Sequence, residues 1–137
     1  MTGPVLADTG PLYALADPSD QYHRRACREL ESLQAAGFHV AVCFPILCEA
    51  CTLISRRLGR TYGRGWLEEL TNGVMLINPE TRDYQAAWRR IGDFPDQDIT
   101  LFDAVAAALC ARLGLPIWSF DHHFDLFGVE RWLPRRR

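Results

Sequence analysis

Short apolar runs alternate along this sequence with longer amphipathic segments, and that alternation constrains the fold more than any other feature. Residues 4–7 read as a strand ending at Asp8, followed by the turn-and-helix signal Thr9-Gly10-Pro11. Ser19 is placed to cap a helix reaching about Ala36, stopped by Gly37, and residues 38–42 form a second strand. Pro45, tolerated in a first helical turn, opens a helix to about Leu58, and a further helix covers roughly residues 61–70. Asn72-Gly73 turns the chain into a third strand over residues 74–77. Asn78-Pro79 then reads as the cap and first position of a helix ending near Ile91. After a polar loop over residues 93–98, Thr100 starts a markedly apolar helix that Gly114 stops. Residues 115–120 make a fourth strand ended by Asp121, with a short helix and room for a last strand over residues 129–133. Strands that alternate with helices imply a parallel sheet covered on both faces. No repeat, low-complexity run or linker interrupts the 137 residues, so the expectation is one domain over residues 1–137.

Such sheets bind ligands beyond the carboxyl ends of their strands, where the strand order reverses. Asp8 and Asp121 both fall at strand carboxyl ends. Glu49 lies in Ile46-Leu47-Cys48-Glu49-Ala50-Cys51-Thr52-Leu53, an otherwise apolar helix with no basic residue three or four positions away. A carboxylate in that setting needs a reason, because its desolvation is costly unless something compensates it. A narrow polar helix face is the plainer alternative. Asp103 sits at the first turn of the apolar helix, where Thr100-Leu101-Phe102-Asp103 also reads as a capping box. Asp8 and Asp121 have capping alternatives of their own. Carboxylates crowded together repel one another unless some take up protons or a cation joins them. Magnesium and manganese prefer carboxylate and water oxygens, and can activate water against a phosphodiester.

The basic residues exclude several chemistries. All 15 are arginine, and the absence of lysine removes P-loop phosphate binding, Schiff-base chemistry and pyridoxal enzymes. A net charge of −2 argues against a uniformly basic nucleic-acid binder, yet the arginines cluster: Arg24, Arg25 and Arg28; Arg56, Arg57, Arg60 and Arg64; Arg89 and Arg90; Arg135, Arg136 and Arg137. Each cluster is either a solvated helix face or an RNA contact. His122 and His123 are too close in sequence to make a good acid–base pair, though one could touch phosphate. The five cysteines are odd in number, and four lie in apolar segments that read as buried. Cys43, Cys48 and Cys51 have no second Cys or His pair at zinc spacing and read as small core side chains. The start, Met1-Thr2-Gly3-Pro4, lacks the marks of a secretory signal, and no apolar stretch approaches membrane-spanning length, so the expectation is cytoplasmic.

Taken in order, these segments resemble the PIN-domain nucleases. Val5-Leu6-Ala7-Asp8-Thr9 resembles the family's opening strand and first aspartate, and Glu49 sits where the family has a helical glutamate. The segments around Asp103 (Asp98-Ile99-Thr100-Leu101-Phe102-Asp103-Ala104) and Asp121 (Ile117-Trp118-Ser119-Phe120-Asp121) resemble those of the third and fourth acids. The size is similar to that of VapC-type toxins within that family. The resemblance implies a three-layer α/β/α sandwich around a mainly parallel sheet of four or five strands. It also implies cleavage of RNA with magnesium or manganese, leaving 5′-phosphate and 3′-hydroxyl ends. It implies a homodimer and a VapB-type antitoxin that blocks the site. By the same resemblance Asp8 and Asp103 hold metal most directly, Glu49 and Asp121 complete the acidic pocket, and Thr9 and Ser119 could orient acids or waters. Asp98 is an extra acid without an assigned role. Two other readings are a catalytically silent binding module with the same fold and a phosphatase using Asp8 as nucleophile. The missing lysine and Gly10, where a second acid would be needed, count against the phosphatase. Trp66, Leu67 and Leu70 could line a groove for a partner or simply face the core.

Overall fold

The computed structural model describes residues 2–135, so Arg136 and Arg137 of the terminal arginine cluster lie outside the described residues. The chain runs β1 (Gly3–Ala7), α1 (Thr9–Ala16), α2 (His23–Ala35), β2 (Phe38–Cys43), α3 (Phe44–Leu58) and α4 (Arg60–Gly73). It continues through β3 (Met75–Ile77), α5 (Thr81–Ile91), α6 (Leu101–Leu113), β4 (Ile117–Trp118) and a 3₁₀ segment, His122–Phe127. The four strands form one sheet in the order β3-β2-β1-β4, every pairing parallel. Val5, Leu6 and Ala7 of β1 are fully buried, as are Ala41, Val42 and Cys43 of β2. A central strand covered by helices on both faces has no polar side to show, which is why β1 is apolar at consecutive rather than alternate positions. The result is the three-layer α/β/α arrangement with helices flanking the sheet.

The order β3-β2-β1-β4 positions the site. The first three strands are laid down outward from β1 in one direction, and β4 returns to the opposite side of β1. The reversal therefore lies between the carboxyl ends of β1 and β4. Asp8 leaves the sheet there, and its backbone N–H donates to the Trp118 carbonyl at 2.9 Å.

Several expected boundaries move, each for a local reason. Ser19 does not cap α2: its N–H and hydroxyl both donate to Asp17 Oδ1, at 3.0 and 2.7 Å, and the helix starts only at His23. Asn72-Gly73 completes α4 instead of turning the chain, because Val74 N–H still bonds the Leu70 carbonyl, and β3 begins at Met75. The cap of α5 is Glu80, not Asn78; Glu80 and Asp83 form a reciprocal capping box, with Glu80 N–H donating to Asp83 at 2.8 Å. The fourth strand shrinks from residues 115–120 to two residues. Pro116 brings no N–H to the ladder, and beyond Trp118 the Ser119 hydroxyl ties the chain to Asp8 and Asp121. The last strand is a single parallel bridge between Ile117 and Arg131.

The apolar face of α3 is Ile46, Leu47, Ala50 and Ile54. That periodicity turns Cys48 to solvent and leaves Cys51 only half-buried, so of the five cysteines just Cys43 and Cys110 are buried. All five are free thiols. Helix α4 lies close on α3 at Gly63: a Cβ there would stand 3.1 Å from Ser55 Cβ and 3.3 Å from its Cα, so only glycine allows this approach. Among the described residues no helix is long and apolar enough to cross a membrane.

Candidate active site

Asp8 occupies the residue before α1, but its carboxylate makes no capping bond. Oδ2 instead accepts the Ser119 hydroxyl at 2.9 Å, while Oδ1 is buried with no hydrogen-bond partner among the described residues. An orphaned buried carboxylate oxygen is rare, since buried polar atoms are nearly always paired. The residue is 6% exposed. Burial, then the neighbouring charge of Asp103 and more weakly that of Glu49, push its pKa up from 3.8 to about 7; the Thr9 N–H and Ser119 hydroxyl hold it back.

Asp103 helps to cap α6 and also lies beside the other acids. Its N–H donates to the Thr100 hydroxyl at 3.2 Å within a reciprocal capping box. Its carboxylate also stands near enough to Asp8, Glu49 and Asp121 for their charges to interact. Burial foremost raises its pKa, with the Asp121 charge adding, while the Thr100 hydrogen bonds and His123 oppose. Glu49 projects from α3 and is half-buried, and it is not without a partner. The Thr9 hydroxyl at the start of α1 donates to its Oε1. Its pKa is raised, chiefly by burial and then by Asp103, against the Thr9 bond. Asp121 caps the 3₁₀ segment, accepting the His123 N–H at 2.9 Å, and pairs with His123 Nδ1 at 3.0 Å.

Ser119 links two of these acids. It donates to Asp8 and accepts the Asp121 N–H at 2.9 Å, which fixes the ends of β1 and β4 to each other. Four elements thus bring Asp8, Glu49, Asp103 and Asp121 to the reversal point of the sheet, and Thr9 and Ser119 each hold one of them. Asp98 is exposed in the loop before α6. Among the described residues no three Asp, Glu, His or Cys side chains close into a ready-made metal cage.

Two cavities flank the acids. One of about 460 Å³ extends from Asp8 and Asp121 to Tyr22, Arg25, Phe120 and His122. The other, of about 520 Å³, extends from Thr9 and Glu49 to Arg56 and Phe102. Arg25 and Arg56 belong to clusters singled out in the sequence. Tyr22, Phe102 and Phe120 were not singled out there, because an aromatic in half-apolar surroundings carries no mark that separates a cavity wall from a core residue. Away from the acids, Trp66 and Leu70 pack on the core, and with Leu12, Leu15 and Tyr62 they line a groove of about 560 Å³ between α1 and α4.

A parallel α/β sheet with carboxylates gathered at its reversal point defines the general class of the site. The PIN-domain family model matches residues 5–129, and the chain belongs to that family. No curated protein matches it. Among solved structures, the fold is similar to that of VapC20 of Mycobacterium tuberculosis, described as a Sarcin-Ricin loop cleaving toxin. That similarity has a TM-score of 0.81 at 22% identity, covering 95% of this chain and 99% of that one. It is also similar to VapBC2 from Rickettsia felis bound to a promoter DNA fragment, with a TM-score of 0.72 at 13% identity over 96% of each chain. DNA-bound VapBC from Salmonella typhimurium gives 0.69 at 12% identity, again over 96% of each. At these identities the likeness is one of fold.

Proposed function

We propose that this chain is a metal-dependent endoribonuclease acting in the cytoplasm as the toxin of a VapBC-type pair, and that residues 1–137 work as one PIN domain. The observation that carries the reading is Asp8: a buried carboxylate with one oxygen unpartnered among the described residues, raised in pKa first by burial and then by the charges of Asp103 and, more weakly, Glu49. A site that strains three carboxylates against one another is one that a divalent cation relieves. Asp8 and Asp103 are the residues proposed to hold that cation most directly, with Glu49 and Asp121 completing the pocket directly or through water. An all-carboxylate set of donors suits magnesium or manganese, which prefer oxygen ligands and keep several of their waters.

When bound, the cation supplies an activated water and neutralises charge on the phosphodiester during in-line attack. The remaining work belongs to the protein. Ser119 holds Asp8 in one orientation and keeps Asp121 beside it. Thr9 directs Glu49 across from α3, and His123 fixes the Asp121 carboxylate. Arg25 and Arg56, on either side of the acids, offset the phosphate charge of an incoming strand. The VapBC complexes of similar fold support a VapB-like antitoxin as partner, and the homodimer is proposed on the family resemblance alone.

The test is cleavage of total RNA with magnesium or manganese, with excess chelator, and by Asp8→Asn and Asp103→Asn variants whose helicity matches the parent. Cleavage should need the cation and vanish in both variants. Full activity in chelator, or in both variants, would sink the mechanism. A short neighbouring reading frame for a small DNA-binding protein that silences the activity would support the toxin assignment.

A further inference from the structure

The cavity between Asp8 and the start of α2 holds two aromatic rings and a guanidinium arranged in an unusual way. Tyr22 is 44% exposed, and its ring centroid lies 5.6 Å from that of Phe120, the planes tilted by 47°. Arg25 lies over the other ring, its guanidinium carbon 4.3 Å from the Phe120 centroid. A single exposed aromatic on a surface calls for no explanation. Here two rings and a cation meet in one concavity that opens onto an acid of the proposed site.

Arg25 is also not a free surface arginine. Its Nε donates to Glu29 at 2.7 Å, and Glu29 in turn accepts the indole N–H of buried Trp118 at 3.0 Å. The guanidinium is therefore pinned along one edge and from below. Among the described residues its terminal amino groups make no hydrogen bond, which leaves them for a ligand. A flat cation held in this way is preorganised for phosphate, and the exposed Tyr22 ring, with half-buried Phe120 beside it, offers a face on which a base can stack. Beyond the acids, Arg56 and the exposed Phe102 line the second cavity together.

We propose that the Tyr22–Phe120–Arg25 cavity is a stacking subsite for an unpaired nucleotide next to the scissile phosphate, with the two rings taking its base and Arg25 its phosphate. The proposal rests on the ribonuclease reading above and narrows its substrate class to single-stranded or splayed-out RNA. Bases inside a duplex present edges rather than faces and cannot reach the rings.

The test uses the full chain in excess chelator, so that binding is read without cleavage. It is titrated with a short single-stranded RNA carrying 2-aminopurine, with the same RNA annealed to its complement, and with DNA of the same sequence. The single strand should bind with quenching of the 2-aminopurine, and the duplex about tenfold or more weakly. Tyr22→Leu and Phe120→Leu should each weaken binding about 5- to 100-fold and lose the quench, while Tyr22→Trp keeps both. Arg25→Gln should lower the slope of log affinity against log salt by about 0.7, the loss of one single-strand phosphate contact. Because Tyr22 is exposed, its variant stays informative even if Phe120→Leu fails to fold. Absence of quenching with the parent chain, a Tyr22→Leu variant that binds like it, or equal affinity for duplex overturns the subsite. Equal binding of single-stranded DNA supports it, since base faces and phosphates are common to both. Quenched binding by a chain that cuts no RNA would keep the subsite and remove the ribonuclease. Cleavage left unchanged by Tyr22→Leu, with no quench, would do the reverse.

Discussion

Ser119 donates its hydroxyl to only one oxygen of Asp8, at 2.9 Å, and leaves the other buried and unpaired among the described residues. The bond orients the carboxylate without satisfying it. The protein thus carries an energetic cost at the carboxyl end of β1 that a helix cap would not carry, and that cost has a pH signature.

Asp8 titrates at about 7 in the folded chain against 3.8 ordinarily, chiefly because it is buried. Between those values the unfolded chain has released a proton that the folded chain retains. Metal-free stability therefore falls as pH rises from about 4 to about 7 and levels off above. About three pH units correspond to a penalty of about 4 kcal/mol at most. In chelator, Asp8→Asn should be more stable than the parent at pH 8, with the gain shrinking toward zero near pH 4. Magnesium or manganese should reverse the order by stabilising the parent but not the variant. Denaturant titrations at three pH values check this, and a gain independent of pH would contradict it.

Thr9 reaches Glu49 across 40 residues of sequence, and its hydroxyl favours the ionised form of the glutamate. Thr9→Val should lower cleavage about 10- to 100-fold, the usual cost of losing a group that orients a metal-site residue. The change should leave thermal stability nearly unaltered, because Thr9 is only half-buried. Without the donor the Glu49 pKa rises further, so the acidic limb of the pH–rate profile should move to higher pH. Thr9→Ser, which keeps the hydroxyl, should restore both rate and profile. A Thr9→Val enzyme with unchanged profile would show that the bond does not matter to the site.

These features differ in how far the sequence revealed them. The parallel sheet was legible because short apolar strands alternate with helices along the chain, and the Asp103 capping box was legible because its partner is three residues away. The capping alternative for Asp8 failed on Ser119, 111 residues distant, which turns the carboxylate away from the helix. Glu49 stood out for having no partner on its own helix, yet nothing local could name Thr9. The limits of β4 depended on where the Ser119 hydroxyl goes after folding, a tertiary fact that strand propensity does not carry.

The pair of Asp83 and Arg112 joins α5 to α6, the helix that carries Asp103. Arg112 Nε and a terminal nitrogen donate to the two Asp83 oxygens at 2.7 and 2.8 Å, while Asp83 also caps α5 by accepting the Glu80 N–H. Asp83 is 2% exposed, so removing Arg112 leaves a buried charge without its counter-ion. Arg112→Ala should cost about 3–5 kcal/mol at neutral pH, and Arg112→Lys less, since it keeps charge but loses the two-pronged geometry. The Arg112 guanidinium foremost holds the Asp83 carboxyl below its ordinary 3.8. Stability from such a depressed acid is present above the unfolded pKa and lost as pH falls through the folded value. The gap between parent and Arg112→Ala should therefore narrow once pH drops below about 4, where Asp83 in the variant is protonated. Urea titrations at pH 7 and in acid measure it directly. A loss under about 1 kcal/mol at pH 7 would mean that α6, and Asp103 with it, is held by its apolar face alone.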